Sequence, residues 1–471
     1  MSSIEALAKI ISDGVKDIQE QCTAKGATYP TPDVVCSPET DAIQNEFSSQ
    51  ATPIIAAAYQ LIATLSHPQP YLLGMGLWAY FPTALAYIDA TFVPDILREA
   101  GPKGCRLLGR ILRFLATRHI FEEVAPDVFR NTRLSSGMCL GKSVKEIVEN
   151  PLDRWDGSSG VAAIVSLNGH ENMKTAAYLV ETLTDPVTGF SDEPTEAAFQ
   201  RGHRTPLPCY EWLEQPENIT SLRKFPNAMR ATTHYNSDKA VNEGRSRPLS
   251  LNSIGLIIWN LPGFEWADLP EGSLVVDVAG GIGNLTMALA GTHKHLRYVV
   301  QDRPAVIKAA YDHWAQKMPG SVEKGFVRLE PHDMFDPQYI RDAAVFVMRY
   351  TTHNWSDPYA TKFLTRLREA AQPTTKLIII DGISDYLCRD TSSIDDIPGA
   401  AKTAAPEPLL PYPDSTIGWG YLMDINMLAM MNCQERTVGE FVTLMKSAGW
   451  KIERICRFEA PLPQQIICVP I

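Results

Sequence analysis

Leu274-Val-Val-Asp-Val-Ala-Gly-Gly-Ile-Gly-Asn-Leu285 decides how this chain is read. Five of its first six residues are apolar, the composition of a parallel strand buried on both faces. A glycine cluster follows, then Leu-Thr-Met-Ala-Leu-Ala at helical spacing. Strand, glycine turn and helix together frame a nucleotide-binding crevice. Gly280, Gly281 and Gly283 let the backbone turn tightly and approach a ligand with no Cβ in the way. The next apolar run, Leu296-Arg-Tyr-Val-Val-Gln-Asp302, ends on a carboxylate about 20 residues past the last glycine, the separation of an acid that grips ribose hydroxyls. A dinucleotide fingerprint wants a third glycine where Thr286 stands, and here Asp277 also sits inside the strand.

Downstream the strand–helix cadence repeats. A helix over 305–318 and a strand over 326–329 lead to His332-Asp-Met-Phe-Asp-Pro337. The buried strand Ala343-Ala-Val-Phe-Val-Met348 runs into Arg349-Tyr-Thr-Thr-His-Asn-Trp-Ser-Asp357, and a helix over 358–371 precedes Lys376-Leu-Ile-Ile-Ile-Asp381. This alternation predicts an α/β fold with a doubly wound, largely parallel sheet. Asp333, His353 and Asp381 then fall at the carboxyl ends of successive strands, where such sheets bind ligands. A Pro/Ser/Asp-rich insertion at 384–415 is expected as a loop beside the site. The Met-rich helix 421–431 is core by default, and its Met423 and Met427 also suit a polarizable wall for an aromatic substrate. Thr437 reads as the N-cap of a helix over 438–448, and strands over 451–458 and 465–469 close the sheet.

The chain has 471 residues, 45% hydrophobic and 21% charged, enough for two or three domains with proper cores. A net charge of −11 argues against a nucleic-acid partner, which needs a basic face. Nine dispersed cysteines without ligand spacing read as reduced thiols of a cytoplasmic protein, with neither disulfides nor a zinc site. Ile4, Leu7, Ile11, Val15 and Ile18 make residues 1–18 an amphipathic helix too acidic for a leader peptide. Prolines and polar residues mark 22–45 as a linker. From 47 to 88 there is no formal charge, but Pro53, Pro68, Pro70 and Pro82 interrupt the run below the ~20 apolar residues of a membrane span. Buried helices at a subunit interface are expected instead.

Residues 93–135 read as helix, Gly-Pro-Lys-Gly turn, helix and hairpin, with Leu107, Leu108, Ile111, Leu112 and Leu115 on one helical face. The alternating stretch 119–132 turns at Ala-Pro-Asp as a small β-wing would, giving a winged-helix pattern. Arg106, Arg110, Arg113 and Arg118 could invite DNA, but Glu122, Glu123 and Asp127 in the wing would repel phosphate. Residues 151–250 are mixed, with a helical stretch over 171–183, and are expected to line part of a substrate pocket.

Strand-borne Asp277, Gly-Gly-x-Gly and Asp302 together resemble the site of class I S-adenosylmethionine (SAM) methyltransferases. Residues from about 93 to 471 resemble the caffeate/flavonoid and fungal polyketide type of SAM-dependent O-methyltransferase. The matching motifs occur in order: 277–283, Asp302, Asp333-Met334, Arg349 through Trp355, Asp381 and Glu435-Arg-Thr437. Phe121-Glu-Glu-Val-Ala-Pro-Asp127 is similar to the fungal branch. The resemblance implies a helical, winged-helix dimerisation region over 1–150, a linking region over 151–250 and a Rossmann-like SAM domain over 251–471. It also implies a homodimer acting on a small phenolic substrate, with SAM as cofactor and no metal.

Asp277, Gly280, Gly281 and Gly283 would lie along the methionyl part of SAM, with Asp302 on the ribose and Asp333 and Met334 flanking the adenine. Arg349 stands where the family usually has a lysine. His353 matches the general base, and Asp381 and Glu435 match the two acids beside it. Asn354, Trp355, Met423 and Met427 would face the substrate. The sequence departs from the family at Asn354, usually aspartate, at Asp381, usually glutamate, and in the short turn after Ala100. The chemistry asks for such residues: a phenol of pKa ~10 is mostly protonated at neutral pH, and a positioned imidazole can take its proton. Alternatives from other classes are an O-methyltransferase-like pericyclase that binds SAM without methyl transfer, a winged-helix regulator and, lower still, a nicotinamide dehydrogenase.

Overall fold

The computed structural model describes residues 3–101, 103–106, 109–241, 263–388, 396–412, 418–458 and 463–471, with backbone alone considered over 232–241. The chain divides into two units. One comprises Met1–Ser191, Thr195–Glu243 and Ser415–Ile417, the other Asp192–Pro194, Gly244–Asp414 and Gly418–Ile471. The expected boundary at 250/251 and the face residues Leu107 and Leu108 lie outside the described residues, as do 389–395 and 413–415 of the insertion.

The first unit is mostly helical. The opening helix, Ser3–Ala24, outruns its expected end and buries Leu7, Ile18 and Cys22. The expected linker contains a helix, Pro38–Glu46. Ser37 and Thr40 form a reciprocal capping box and Pro38 occupies the first turn, so the proline starts this helix instead of breaking one. Helices Ser48–Leu65, Pro68–Gly76 and Tyr80–Ala90 occupy the uncharged stretch. They form as expected, and Ala84 and Ile88 of the third join the core, but much of their apolar surface faces outward within the chain: Leu72, Leu73, Leu77 and Tyr80 are 61–66% exposed. Pro68–Ala90 is long and apolar enough to meet a membrane-span criterion, against the sequence reading, although a turn at 77–79 interrupts it.

Helix Val93–Ala100, strand β1 (Cys105–Arg106), helix Gly109–Ala116 and the hairpin β2 (Phe121–Ala125) and β3 (Val128–Asn131) follow in that order. The three strands form an antiparallel sheet in the order β1-β3-β2. Gly104 admits β1 to its place, because a Cβ there would stand 2.1 Å from the Phe129 carbonyl oxygen. Leu112 and Leu115 join Phe121 and Phe129 in the core. Arg113 donates to Glu123 at 2.8 and 2.9 Å and to Asp127 at 2.7 Å, so wing carboxylates neutralise the cation that resembled a DNA contact. The helix expected over 171–183 is divided into a π-turn, Asn168–Asn172, and helices Met173–Ala176 and Leu179–Thr184. Two local demands accompany the break. Gly169 lies so close to Pro82 that a Cβ would fall 2.1 Å from the Pro82 carbonyl oxygen. Glu171 is turned inward to accept two 2.9 Å hydrogen bonds from Lys224.

The second unit holds seven strands: β4 (Leu274–Val278), β5 (Arg297–Asp302), β6 (Val327–Pro331), β7 (Ala343–Arg349), β8 (Lys376–Asp381), β9 (Trp450–Cys456) and β10 (Gln464–Pro470). Their order is β6-β5-β4-β7-β8-β10-β9. The first five are parallel, and β10 inserts antiparallel between β8 and β9. Because side chains alternate across a strand, Val276, Val278, Phe346 and Ile379 pack on one face with helices Asp357–Ala370 and Val438–Ser447. Val275, Val300, Val347 and Ile378 pack on the other with helices Asn284–Thr292 and Pro304–Lys317. The chain winds outward in both directions from the β4/β7 pair. That switch point opens a crevice beyond the carboxyl end of β4.

Candidate active site

The glycine turn lies at this crevice. Ala279, Gly281 and Gly283 all adopt positive φ, at 55°, 61° and 83°. Gly280 packs directly on the Asp277 carboxyl, where a Cβ would come within 2.6 Å of Cγ, and a Cβ on Gly283 would meet the Trp314 indole nitrogen at 2.8 Å. At Gly281 the space is open. Asp302 at the end of β5 ties the turn down, accepting from the Gly281 N–H at 2.8 Å and the Arg303 N–H at 2.7 Å.

Asp277 is fully buried, and its Oδ2 accepts from the Thr286 hydroxyl at 2.6 Å. Thr286 thus occupies the position of the missing third glycine and supports the strand acid. The other oxygen, Oδ1, is buried with no hydrogen-bond partner among the described residues. Burial pushes the Asp277 pKa up to about 6, against the Thr286 hydroxyl and the Arg349 charge, which favour the ionised form. An unpaired buried carboxylate oxygen against a glycine turn fits a ligand that brings a cationic ammonium group, as the methionyl end of SAM does.

Asp333 lies just past β6, where the His332 N–H donates to the Asp302 carbonyl at 3.0 Å and brings the ends of β5 and β6 together. Its carboxylate is exposed and accepts from the Phe335 N–H at 3.0 Å, closing a short turn. Met334 is half-buried against the core.

The second cluster forms where β7 and β8 end. Tyr350 takes a left-handed conformation, φ 49°, and a single 3-10 turn, Thr352–Asn354, presents His353. Its Nδ1–H donates to Glu435 Oε1 at 2.8 Å, and Asp381 Oδ1 lies 3.9 Å from the same nitrogen. Asp381 is fully buried; its Oδ2 accepts from the Thr352 hydroxyl at 2.5 Å and the His353 N–H at 3.2 Å. The shorter acid therefore reaches the turn through its backbone, while Glu435 takes the ring. Burial alone would depress the imidazole, but the Asp381 charge, the Glu435 hydrogen bond and the Glu435 charge outweigh it, and the pKa rises to about 9. Burial raises Asp381 as well, opposed by the His353 charge. With two acids around one ring, the three groups bind protons as a unit.

The sequence reading missed Arg436, which is 1% exposed. It donates to the carbonyls of Thr352 and Trp355, both at 2.7 Å, and to Asp357 at 2.9 Å, gripping the turn that carries His353. Its neighbour Glu435 donates its backbone N–H to Asp424 at 2.8 Å. Also missed was the segment Asp192–Pro194. The Ser356 hydroxyl donates to the Asp192 carbonyl at 2.9 Å, the Asn432 amide to the Glu193 carbonyl at 2.9 Å and the Tyr359 hydroxyl to the Glu193 carboxylate at 2.6 Å. Asn354 donates to the Tyr350 carbonyl at 3.0 Å, closing its own turn. The Trp355 ring packs on Phe335 and Tyr359, with centroids 4.8 and 5.6 Å away. Met427 is buried and Met423 half-buried on helix Trp419–Met431.

The family described as O-methyltransferase domain matches residues 258–395. The chain is 37% identical to an O-methyltransferase of Armillaria gallica, across 100% of both chains. Among solved structures, the mitomycin 7-O-methyltransferase aligns over 86% of this chain and 98% of its own at 18% identity, TM-score 0.61. A pericyclic reaction enzyme aligns over 92% and 100% at 17% identity, also with TM-score 0.61. At these identities the two structures speak for the fold alone. The relationship that spans the whole chain decides the family: this protein belongs to the O-methyltransferases and is a SAM-dependent enzyme.

Proposed function

We propose that this enzyme methylates a phenolic hydroxyl of a small aromatic or polyketide metabolite, with His353 as general base. One observation carries the reading: the 2.8 Å bond that directs the His353 Nδ1–H to Glu435. With that proton held, the lone pair of the neutral imidazole resides on Nε2, which is left to take the acceptor's proton. Glu435 and Asp381 stabilise the imidazolium so formed. SAM supplies the electrophilic methyl group when bound. On our reading Asp277, Gly280, Gly281, Gly283 and Arg349 hold its methionyl end, Asp302 its ribose, and Asp333 and Met334 its adenine. Asn354, Trp355, Met423 and Met427 would bound the acceptor. Arg436 fixes the turn so that Nε2 meets the hydroxyl in a constant geometry.

A base of pKa about 9 is nearly matched to a phenol of pKa ~10, so little free energy separates imidazole plus phenol from imidazolium plus phenolate. The same shift leaves only roughly 1% of the free protein with a neutral ring at pH 7. Because the base works deprotonated, kcat/KM for the methyl donor is expected to climb with pH and level off above about 9. Glu435→Gln removes one cause of the upward shift and moves that limb to lower pH. The His353 Cε1–H resonance, followed by NMR, should titrate over the same interval. An imidazole that titrates below neutrality, with a flat rate profile, would sink the reading.

We further propose that the helix–strand–helix–hairpin of residues 93–131 is a winged-helix element and that the protein is a homodimer. The exposed apolar helices Ser48–Leu65 to Tyr80–Ala90 support this, because a patch with Leu72, Leu73 and Leu77 on it is larger than isolated surface hydrophobes. Sedimentation equilibrium should give a dimer, and Leu73→Asp combined with Leu77→Asp a monomer. A wild-type monomer at micromolar concentration would contradict it.

A further inference from the structure

We propose that His353, Asp381 and Glu435 also form an inhibitory site for a divalent cation of the zinc class. The sequence expectation of no zinc rested on cysteine spacing. This trio comes from three separate places: the turn after β7, the end of β8 and the turn before helix Val438–Ser447. Their ligand atoms lie within 4.8 Å of one another, and it is the His/Asp/Glu grouping the described residues bring together.

Distance and donor chemistry favour an ion. From Nδ1 the carboxylate oxygens lie 2.8 and 3.9 Å away. These bracket the edge of about 3.3 Å in a tetrahedron with bonds of about 2.0–2.1 Å. Closure needs Glu435 to retreat and Asp381 to approach by about half an ångström. One imidazole and two carboxylates suit zinc or cobalt and leave a fourth position for water. Outer partners already orient the ligands: the Thr352 hydroxyl and the His353 N–H occupy Asp381 Oδ2, while Oδ1 has a longer 3.3 Å contact from the Gly382 N–H. Asp424 anchors the backbone of Glu435.

Occupancy would silence the base. On the doubly protonated ring the ion takes the Nδ1 lone pair as the proton shared with Glu435 leaves to solvent, and the proton on Nε2 stays. On the neutral ring the one proton moves from Nδ1 to Nε2 as the ion binds. That nitrogen then donates and cannot accept, so the acceptor hydroxyl keeps its proton. The inhibition rests on the general-base reading; the binding does not.

Cobalt(II) titration of the full chain tests both halves. One ion per chain is expected, with visible ligand-field absorption and no thiolate charge-transfer band in the near ultraviolet, and zinc should displace it. Losing a direct ligand should cost at least the roughly 10-fold of an outer-shell change, so Glu435→Gln weakens binding by at least that factor. Asp381→Asn is the second variant, with circular dichroism reporting the fold of each. Zinc should also stop methyl transfer, and a chelator restore it. Thiolate absorption, or unchanged affinity in either folded variant, overturns the site. Undiminished methyl transfer with the ion bound overturns the inhibition. Cobalt bound by the trio in a protein that methylates no phenol supports the site while removing the general-base reading.

Discussion

His353→Ala is expected to lower kcat by about 100- to 10,000-fold, the range for losing a positioned general base, with SAM affinity unchanged. The substitution also leaves Asp381 and Glu435 facing each other without the ring between them, so loss of activity alone would not separate chemistry from damage. His353→Gln addresses this, because its amide can still donate to Glu435 yet has no comparable basicity. Both variants should bind SAM by calorimetry and fail in turnover. Activity of either within about tenfold of wild type would remove His353 from the proton transfer.

Arg436→Met carries the second large effect. Methionine replaces much of the stem but none of the donors, leaving the Thr352 and Trp355 carbonyls without their charged partner. The Thr352 carbonyl keeps a 3.3 Å contact from the Trp355 N–H and Trp355 is only partly buried, so urea unfolding of the second unit should show a loss nearer that of one unsatisfied acceptor, about 1–3 kcal/mol. The exposed end of the Arg436–Asp357 pair adds little, since Asp357 is 49% exposed. A turn displaced by about an ångström can cost on the order of 100-fold in rate, so kcat should fall more than the affinity for SAM. Wild-type stability and rate in Arg436→Met would show that Arg436 does not hold the turn.

Much of the second unit was legible in the sequence because its signals are local. The apolar runs of β4, β5, β7 and β8 are buried on both faces, and each ends on or beside a polar group that the sheet brings to one edge. His353, Asp381 and Glu435 converge as the matched motifs implied. The features that escaped are those whose causes lie elsewhere in the chain. Arg436 reads as a surface arginine until the carbonyls that enclose it are known. The break near Glu171 depends on Pro82 and Lys224, neither of which marks the local pattern. Asp192–Pro194 lies within the linking stretch but bonds to Ser356, Tyr359 and Asn432. In the first unit, apolar composition does not distinguish burial inside the chain from burial against a partner, and Leu72, Leu73 and Leu77 face outward in a single chain.

Transfer of an isotopically labelled methyl group from SAM to a panel of polyketide-like phenols tests the central claim most directly. Product mass and NMR locate the label, and His353→Gln runs beside the wild type. The expected result is label on a phenolic oxygen with wild-type protein, stoichiometric S-adenosylhomocysteine, and neither with the variant. Tight SAM binding with no label on any phenol would contradict the general-base account and turn attention to chemistry that uses SAM without consuming it.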